Sequence, residues 1–293
     1  MGQALGATQL DDRWDGGLLG PEQASIAERW LESPQLVADL SWGITDTKVL
    51  RVQSAAGQVI IKAGGPENHH LAREIKAHRA YTRPLVEDGR SARLLHADPG
   101  ANVLVMEYLE GRLVEGTEAE HETGIYAQAG EALRLLHRQE SRADDTYEAR
   151  ATAKALSWLD RKHRIDPAVE QEARRRLAEY RPAPVDVVPT HGDWQPRNWL
   201  LHRGELRVID FGRFDFRPAA TDLCRLAVQQ WREHPALEQA FLDGYGEDPR
   251  SSPVWRVDLL REAIGTAVWA YLVGDEAFED QGHRMLRGAL DCW

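Results

Sequence analysis

Three residues in the stretch His191-Gly192-Asp193-Trp194-Gln195-Pro196-Arg197-Asn198 stand in an H-x-D-x-x-x-x-N pattern, and Asp210 follows Asn198 by twelve positions in Ile209-Asp210-Phe211-Gly212-Arg213. A carboxylate such as Asp193 can take or orient the proton of a hydroxyl whose own pKa lies far above 7. An amide oxygen from Asn198 and a second carboxylate from Asp210 are the hard oxygen ligands that Mg2+ prefers. Together these groups are the apparatus for transferring a phosphoryl group from ATP. Each has a plainer reading alone: Asn198 could cap a turn, and Asp210 could be a surface acid ending the strand-like Leu206-Arg207-Val208-Ile209. It is their order and separation that make the combination specific.

The elements that must hold these residues change character along the chain. After Gly20-Pro21 a helix is predicted to about Leu31, ended by Pro34. Strand-like pieces follow at Gln35 to Ser41, Thr45 to Gln53 and Gln58 to Lys62, the last two joined by a Ser54-Ala55-Ala56-Gly57 turn. A helix from about Glu67 to Tyr81 and a buried strand from Asn102 to Tyr108 complete the first part. Beyond Gly111 helices dominate: Ile125 to Arg138, Thr152 to Leu159, Pro167 to Tyr180, Ala219 to Trp231, Val254 to Val273 and one after Glu276. Two short strands and their loops lie between Val187 and Phe214. The layout is α+β: a strand-rich N-terminal lobe over residues 1–110, closing on a hinge near Glu107 to Gly111, and a mainly helical lobe over residues 111–293.

The chain resembles the aminoglycoside phosphotransferase family, within the bilobal protein-kinase-like fold, from about Leu40 to Val228. HGDWQPRN is similar to that family's catalytic loop, VIDFGR with PAATDLCRL to its metal-binding strand and following helix, and GEALRLLH to the helix before them. The resemblance implies Asp193 as general base or hydroxyl-orienting residue, with Asn198 and Asp210 holding Mg2+ on the phosphates of ATP, or of GTP as an alternative donor. It implies that His191 braces the backbone and is not the base. Lys62, ending Val59-Ile60-Ile61, would reach the α- and β-phosphates, and Glu74 would orient it, with Glu67 as runner-up. Arg213 would tether the loop by pairing with an acid, Asp222 being the candidate. Met106, Glu107 and Leu109 would line the adenine pocket, and Met106 reads equally well as core. The resemblance is looser over the phosphates. No G-x-G-x-x-G loop is present, only Gly43 in a small-residue turn where Thr45 and Thr47 are the candidate contacts.

Only eleven residues separate Asp210 from Asp222 and no A-P-E signature follows, which leaves no room for a protein kinase's activation segment and favours a small-molecule acceptor. Net charge is -11 from 47 acidic and 36 basic side chains, which disfavours nucleic acid as a partner and attracts cations. At 100° per residue Asp258, Glu262 and Trp269 share one face of a helix, opposite Val257, Leu260, Ile264 and Val268. Two carboxylates and an indole would suit a cationic acceptor, while the plain reading is a solvated helix face. The expected activity is therefore ATP-dependent phosphorylation of a cationic antibiotic, an aminoglycoside or a basic cyclic peptide, conferring resistance. A metabolic kinase of choline or homoserine type and a nucleotide-binding pseudokinase scaffold are the alternatives.

Two cysteines, Cys224 and Cys292, make no disulfide framework and read as reduced thiols in the cytoplasm. The N-terminal MGQALGATQLDDRWDGG has neither a secretory leader's basic flank nor a myristoylation serine at position 6, and no apolar run reaches membrane-spanning length. A monomer or homodimer is expected. Trp194 and Trp199 flank the loop and could shape a substrate mouth or pack in the core. The adjacent His69 and His70 point about 100° apart on a helix and lack further metal ligands.

Overall fold

A computed structural model describes residues 13–43, 45–250 and 254–293; residues 1–12 of the N-terminal stretch read above for leader and acylation signals lie outside them, as does Ile44 of the small-residue turn. Two compact units form. One comprises the described residues up to Ala80 together with Ala92–Leu109, and the other comprises Tyr81–Ser91 and Glu110–Trp293.

The first unit contains helix α1 (Pro21–Trp30), strands β1 (Gln35–Asp39), β2 (Lys48–Ser54) and β3 (Gly57–Ala63), helix α2 (His69–Ala80), and strands β4 (Leu94–Asp98) and β5 (Val103–Glu107). They build one antiparallel sheet in the order β1-β2-β3-β5-β4. Alternation explains its two faces. Leu50, Val52, Val59, Ile61, Val103 and Val105 point one way and pack with Ile26, Ala27 and Leu31 of and just after α1. Residues of opposite parity, Ile60, Leu104 and Met106, meet Leu71 and Ile75 of α2 on the other side. Each such side chain removed from water contributes roughly 1.5–3 kcal/mol. Lys62 shares the parity of Ile60, so the register that buries Ile61 under α1 also turns Lys62 toward α2.

The second unit is mainly helical. In chain order it holds α3 (Arg83–Glu87), β6 (Arg112–Leu113), α4 (Thr123–His137), β7 (Arg142–Asp144), α5 (Tyr147–Leu159), α6 (Pro167–Glu179), β8 (Val185–Thr190), β9 (Trp199–His202), β10 (Glu205–Val208) and β11 (Asp215–Arg217). Five more helices end it: α7 (Cys224–Val228), α8 (Gln230–Glu233), α9 (Pro235–Tyr245), α10 (Val254–Val273) and α11 (Glu276–Asp291). Two three-stranded sheets, β10-β9-β6 and β11-β8-β7, flank the stretch from His191 to Asn198. Helices α5, α6, α7, α10 and α11 share one core, including Leu159, Leu177, Leu260, Ile264 and Leu286. Helices α4 and α9 cross at glycine: a Cβ on Gly130 would sit 2.1 Å from the Phe241 carbonyl oxygen, and one on Gly244 would sit 2.0 Å from that of Ala127.

The sheet-rich and helical parts are as expected, and the differences are local. The expected helix over Ala219 to Trp231 is broken into a 3-10 turn at Ala219–Leu223, then α7 and α8, with Gln229 at φ -113°, ψ -98° between them. Helix α9 and the short α3, β4 and β7 carry too little periodicity to stand out in the sequence. Helix α10 has no solvated face of the expected kind, because Val257, Asp258, Leu260, Ile264, Thr266 and Ala270 are all buried around its circumference. The His69 and His70 rings do not diverge but stack, with centroids 4.7 Å apart.

Candidate active site

Strand β8 carries the chain into the His191–Asn198 loop, and its pairing with β11 sets Thr190 opposite Asp215. Gly192 turns the chain at φ +83°, where a side chain would be strained and a Cβ would lie 2.4 Å from the Arg213 carbonyl oxygen. Asp222, 2% exposed, anchors this turn. Its Oδ2 accepts the His191 N–H at 2.8 Å and its Oδ1 accepts the Gly192 N–H at 2.6 Å, while His137 Nε2 lies 3.0 Å from Oδ2. Asp222 therefore does not pair with Arg213, because its lone pairs are already directed at the loop backbone. Burial alone would raise its carboxyl, but the hydrogen bond with His137, the neighbouring imidazole of His191 and the Gly192 N–H hold it below the ordinary range.

His191 is fully buried and uses both ring nitrogens locally. Nε2 donates to the Ile209 carbonyl at 3.0 Å, and Nδ1 accepts the Asp193 N–H at 3.2 Å. That arrangement assigns the proton to Nε2, and burial lowers the ring's pKa, which keeps it neutral. His191 thus ties the loop to the strand end preceding Asp210. The Ile209 N–H completes the tie by donating to the Asn198 carbonyl at 3.0 Å. Trp194 and Trp199 are buried and meet edge to face at 6.0 Å, so both pack in the core beneath the loop and line no mouth.

Asp193 is 4% exposed and ringed by donors. Gln195 Nε2 donates to Oδ1 at 2.6 Å, and Asn198 Nδ2 donates to Oδ2 at 3.0 Å and to the backbone oxygen at 2.8 Å. Arg197 Nη2 sits 2.6 Å from Oδ2, Arg225 Nε 3.1 Å from Oδ1 and Arg213 Nη1 4.0 Å from Oδ1. Burial would push this carboxyl up, but Arg225, Arg197 and Arg213 hold it far below the usual carboxylate range. Sequence reasoning missed Arg197 and Arg225. Arg197 lies inside the motif itself, and a basic residue within PAATDLCRL was the only signal for Arg225.

Asn198 spends its Nδ2 on Asp193, which leaves the amide oxygen as the end able to face a cation. Asp210 is exposed and stands at φ +66°, a left-handed conformation uncommon for a residue other than glycine and one that aspartate tolerates better than most. An amide oxygen and a solvent-facing carboxylate, joined through the Ile209 backbone, fit the oxygen-donor chemistry of Mg2+.

In the first unit Lys62 Nζ meets Glu74 Oε1 at 2.8 Å and Oε2 at 2.9 Å, both side chains buried. Glu67, the runner-up, is exposed in the turn before α2. Thr45 is exposed and its hydroxyl donates to the Trp42 carbonyl at 3.4 Å, whereas the Thr47 hydroxyl accepts from Asn68 Nδ2 at 2.7 Å. Met106 packs in the core of the α2 face, with Leu109 against the same cluster. The Glu107 carboxylate pairs with Arg93 at 3.0 Å.

The three α10 candidates are not brought together. Asp258 is 4% exposed, lines a cavity of about 330 Å³ with Val185, Pro218 and Trp255, and takes a 3.2 Å bond from Arg261. Burial, reinforced by the nearby Glu148 carboxylate, raises its pKa to about 7 against the Arg261 charge. Glu262 lies 2.6 Å from Arg225 Nη2 and 3.7 Å from Arg213 Nη2, one link away from Asp193. Trp269 packs edge-on to Phe278 at 5.9 Å.

The chain belongs to the phosphotransferase enzyme family (APH), whose model matches residues 37–255. No curated protein sequence matches it. Among solved structures, choline kinase LicA from Streptococcus pneumoniae superposes with a TM-score of 0.66 at 15% identity, covering 93% of this chain and 100% of that one. Aminoglycoside phosphotransferase APH(4)-Ia, as a ternary complex with AMP-PNP and hygromycin B, gives 0.67 at 12%, covering 91% and 97%. Macrolide 2'-phosphotransferase MphH from Brachybacterium faecium gives 0.54 at 16%, covering 89% and 95%. Likeness at such identities establishes the kinase-like fold.

Proposed function

We propose that this member of the phosphotransferase enzyme family transfers the γ-phosphoryl group of ATP to a hydroxyl of a small molecule, with Asp193 orienting that hydroxyl. The observation carrying the reading is the tie between the two motifs. His191 and the Ile209 N–H fasten the Asp193–Asn198 loop to the strand end that presents Asp210. In the reaction the acceptor oxygen forms a bond to the γ-phosphorus while the bond to the bridging oxygen breaks, releasing ADP. With three guanidiniums around it, Asp193 is a weak base. Its role is to align the hydroxyl and accept its hydrogen bond, the proton leaving to solvent as the new bond forms.

Residues 1–110 would supply the nucleotide lobe, with Lys62, oriented by Glu74, meeting phosphate oxygens, and with Thr45, Thr47, Met106, Glu107 and Leu109 contributing nucleotide contacts. Residues 111–293 would supply the catalytic loop and the acceptor site. Mg2+ would be held by Asn198 and Asp210 and would neutralise phosphate charge. Solved relatives in complex with AMP and with AMP-PNP support nucleotide binding, with ATP as donor and GTP as the alternative.

Two finer readings of the acceptor have separate support. Net charge of -11 and the likeness to an aminoglycoside phosphotransferase favour a cationic antibiotic, a cytoplasmic enzyme and a resistance role. The likeness to a choline kinase favours a metabolic alcohol. Asp258 and Glu262 add little to the first, since each already has an arginine partner. The central test is Asp193→Ala: phosphate transfer to any acceptor should fall by at least about 10³-fold, as expected when the group that positions the nucleophile is lost, while ATP still binds. Undiminished turnover would remove Asp193 from this role.

A further inference from the structure

Asp258 lies inside the second unit with one carboxylate oxygen partnered and the other not. Its Oδ1 takes a 3.2 Å bond from Arg261 Nη1, the same nitrogen that meets Glu148 Oε2 at 2.9 Å. One guanidinium nitrogen therefore serves two carboxylates, Glu148 being fully buried and Asp258 only 4% exposed. Arg261 Nη2 is taken by the Glu148 carbonyl at 3.0 Å and the Thr152 hydroxyl at 2.6 Å. Among the described residues no hydrogen-bond donor meets Asp258 Oδ2. A buried carboxylate oxygen without a donor is costly, and folded proteins ordinarily supply one.

That carboxylate stands on the wall of the cavity of about 330 Å³, a volume at the lower end for sites that take small molecules. Val185, Val188, Pro218 and Trp255 give the cavity apolar sides. Its other ionisable lining residue is Asp186, which is exposed, and no basic side chain lines it among the described residues. Arg250, with its guanidinium 5.6 Å from the Trp255 ring, is paired with Asp248 at 2.7 Å and Glu238 at 2.5 Å. The cavity is also distinct from the surroundings of Asp193. Val185 begins β8, whereas the His191–Asn198 loop leaves the far end of that strand, roughly 16 Å along it. None of Asp193, Arg197, Arg213, Arg225 and Glu262 lines the cavity.

We infer that this cavity is a second ligand site, which takes a small primary amine with an apolar body, the ammonium paired with Asp258 and the body against Val185, Val188, Pro218 and Trp255. An ammonium brings three N–H donors and a positive charge, so it both satisfies the carboxylate and offsets the charge that Arg261 must divide with Glu148. An anion of the same shape would meet two carboxylates, and a neutral alcohol would bring one donor and no charge. The ligand binds without any bond changes. The site goes beyond the phosphotransferase reading and does not rest on it.

The test is titration calorimetry on the full chain with three probes of one shape: phenethylamine, phenethyl alcohol and hydrocinnamate. It is run at about pH 8, where the Asp258 carboxyl, raised to about 7 by burial, is ionised and the amine is protonated. Phenethylamine should bind at least about 10-fold more tightly than the alcohol, the effect of one charge-assisted contact, and hydrocinnamate should not compete with it. Asp258→Asn should erase that preference. Val185→Trp, which fills the cavity, should weaken the amine and the alcohol alike, with melting curves showing that both variants are folded. Asp193→Ala should bind the amine as the parent does, because the cavity is separate from that residue. Equal binding of amine and alcohol, tighter binding of hydrocinnamate, or a preference for the amine that survives Asp258→Asn would overturn the inference. So would an amine affinity weaker than about 10 mM in the parent, or loss of amine binding in Asp193→Ala. Each of these results would leave the phosphotransferase reading standing.

Discussion

Replacing Asp222 with asparagine keeps its shape and removes one acceptor oxygen. In the native protein that side chain takes the His191 and Gly192 N–H groups, one on each oxygen, and meets His137. An amide has a single oxygen, so one of the two backbone N–H groups must face an NH2 group whichever way the side chain turns. His137 can adapt by exchanging tautomer, because its Nδ1 meets the Tyr245 hydroxyl at 2.8 Å, which can donate or accept. The loss is then one buried unpaired N–H, about 1–3 kcal/mol, and the charge assistance of the surviving bond, roughly 1 kcal/mol. Asp222→Asn should therefore cost about 2–4 kcal/mol, which for a unit of about 200 residues is a fall in melting temperature of roughly 5–15 °C. The affected N–H groups precede Asp193 directly, so turnover should drop about 100-fold, the scale of an ångström-sized misplacement. The native carboxyl is held below its ordinary range, so its contribution is present above its unfolded pKa of about 3.9 and is lost as pH falls through the lower folded value. Scanning calorimetry of both proteins from about pH 2.5 to 8, with ADP release at about pH 7.5, should show the full gap at neutral pH and a narrowing only below about pH 4. A variant melting within about 1 °C of the parent with intact turnover would show that Asp222 does not hold the loop.

Further outcomes follow from other groups. Glu74→Ala leaves the Lys62 ammonium without the carboxylate it meets at 2.8 Å and should cost about 3 kcal/mol in urea denaturation; an unchanged midpoint would mean the pair contributes no net stability. Asp258, raised to about 7 by burial, works in the opposite sense to Asp222: its contribution is full below the unfolded pKa of about 3.9 and lost as pH rises toward 7. Asp258→Asn should therefore stabilise the protein at pH 8 by up to about 4 kcal/mol, with the gain shrinking toward pH 4, and a gain independent of pH would contradict this. Gly244→Ala must part α4 from α9, since its Cβ would lie 2.0 Å from a backbone oxygen, and should cost about 3 kcal/mol or more or prevent soluble expression. Gly124→Ala, at a helical site open to 4 Å, should be neutral or stabilise by up to about 1 kcal/mol.

What could be read from the sequence alone was whatever depends on near neighbours along the chain. The H-x-D-x-x-x-x-N spacing turns within one loop, and alternation in Lys48–Ser54 and Gly57–Ala63 specifies a hairpin whose register sends Lys62 to one face. Glu74 lies twelve residues beyond Lys62, close enough that strand followed by helix brings it within reach. The partners of the other charges were settled by packing. Asp222 and Arg213 are nine residues apart, yet Asp222 turns to a loop thirty residues earlier because only there do two N–H groups and a buried histidine converge. Asp258 and Glu262 stand one helical turn apart, and the packing of α10 sends one to Arg261 inside the protein and the other to Arg225 beside Asp193. A helical wheel treats such residues as a common face toward solvent. Which of them is desolvated, and against which guanidinium, depends on helices far away in the chain.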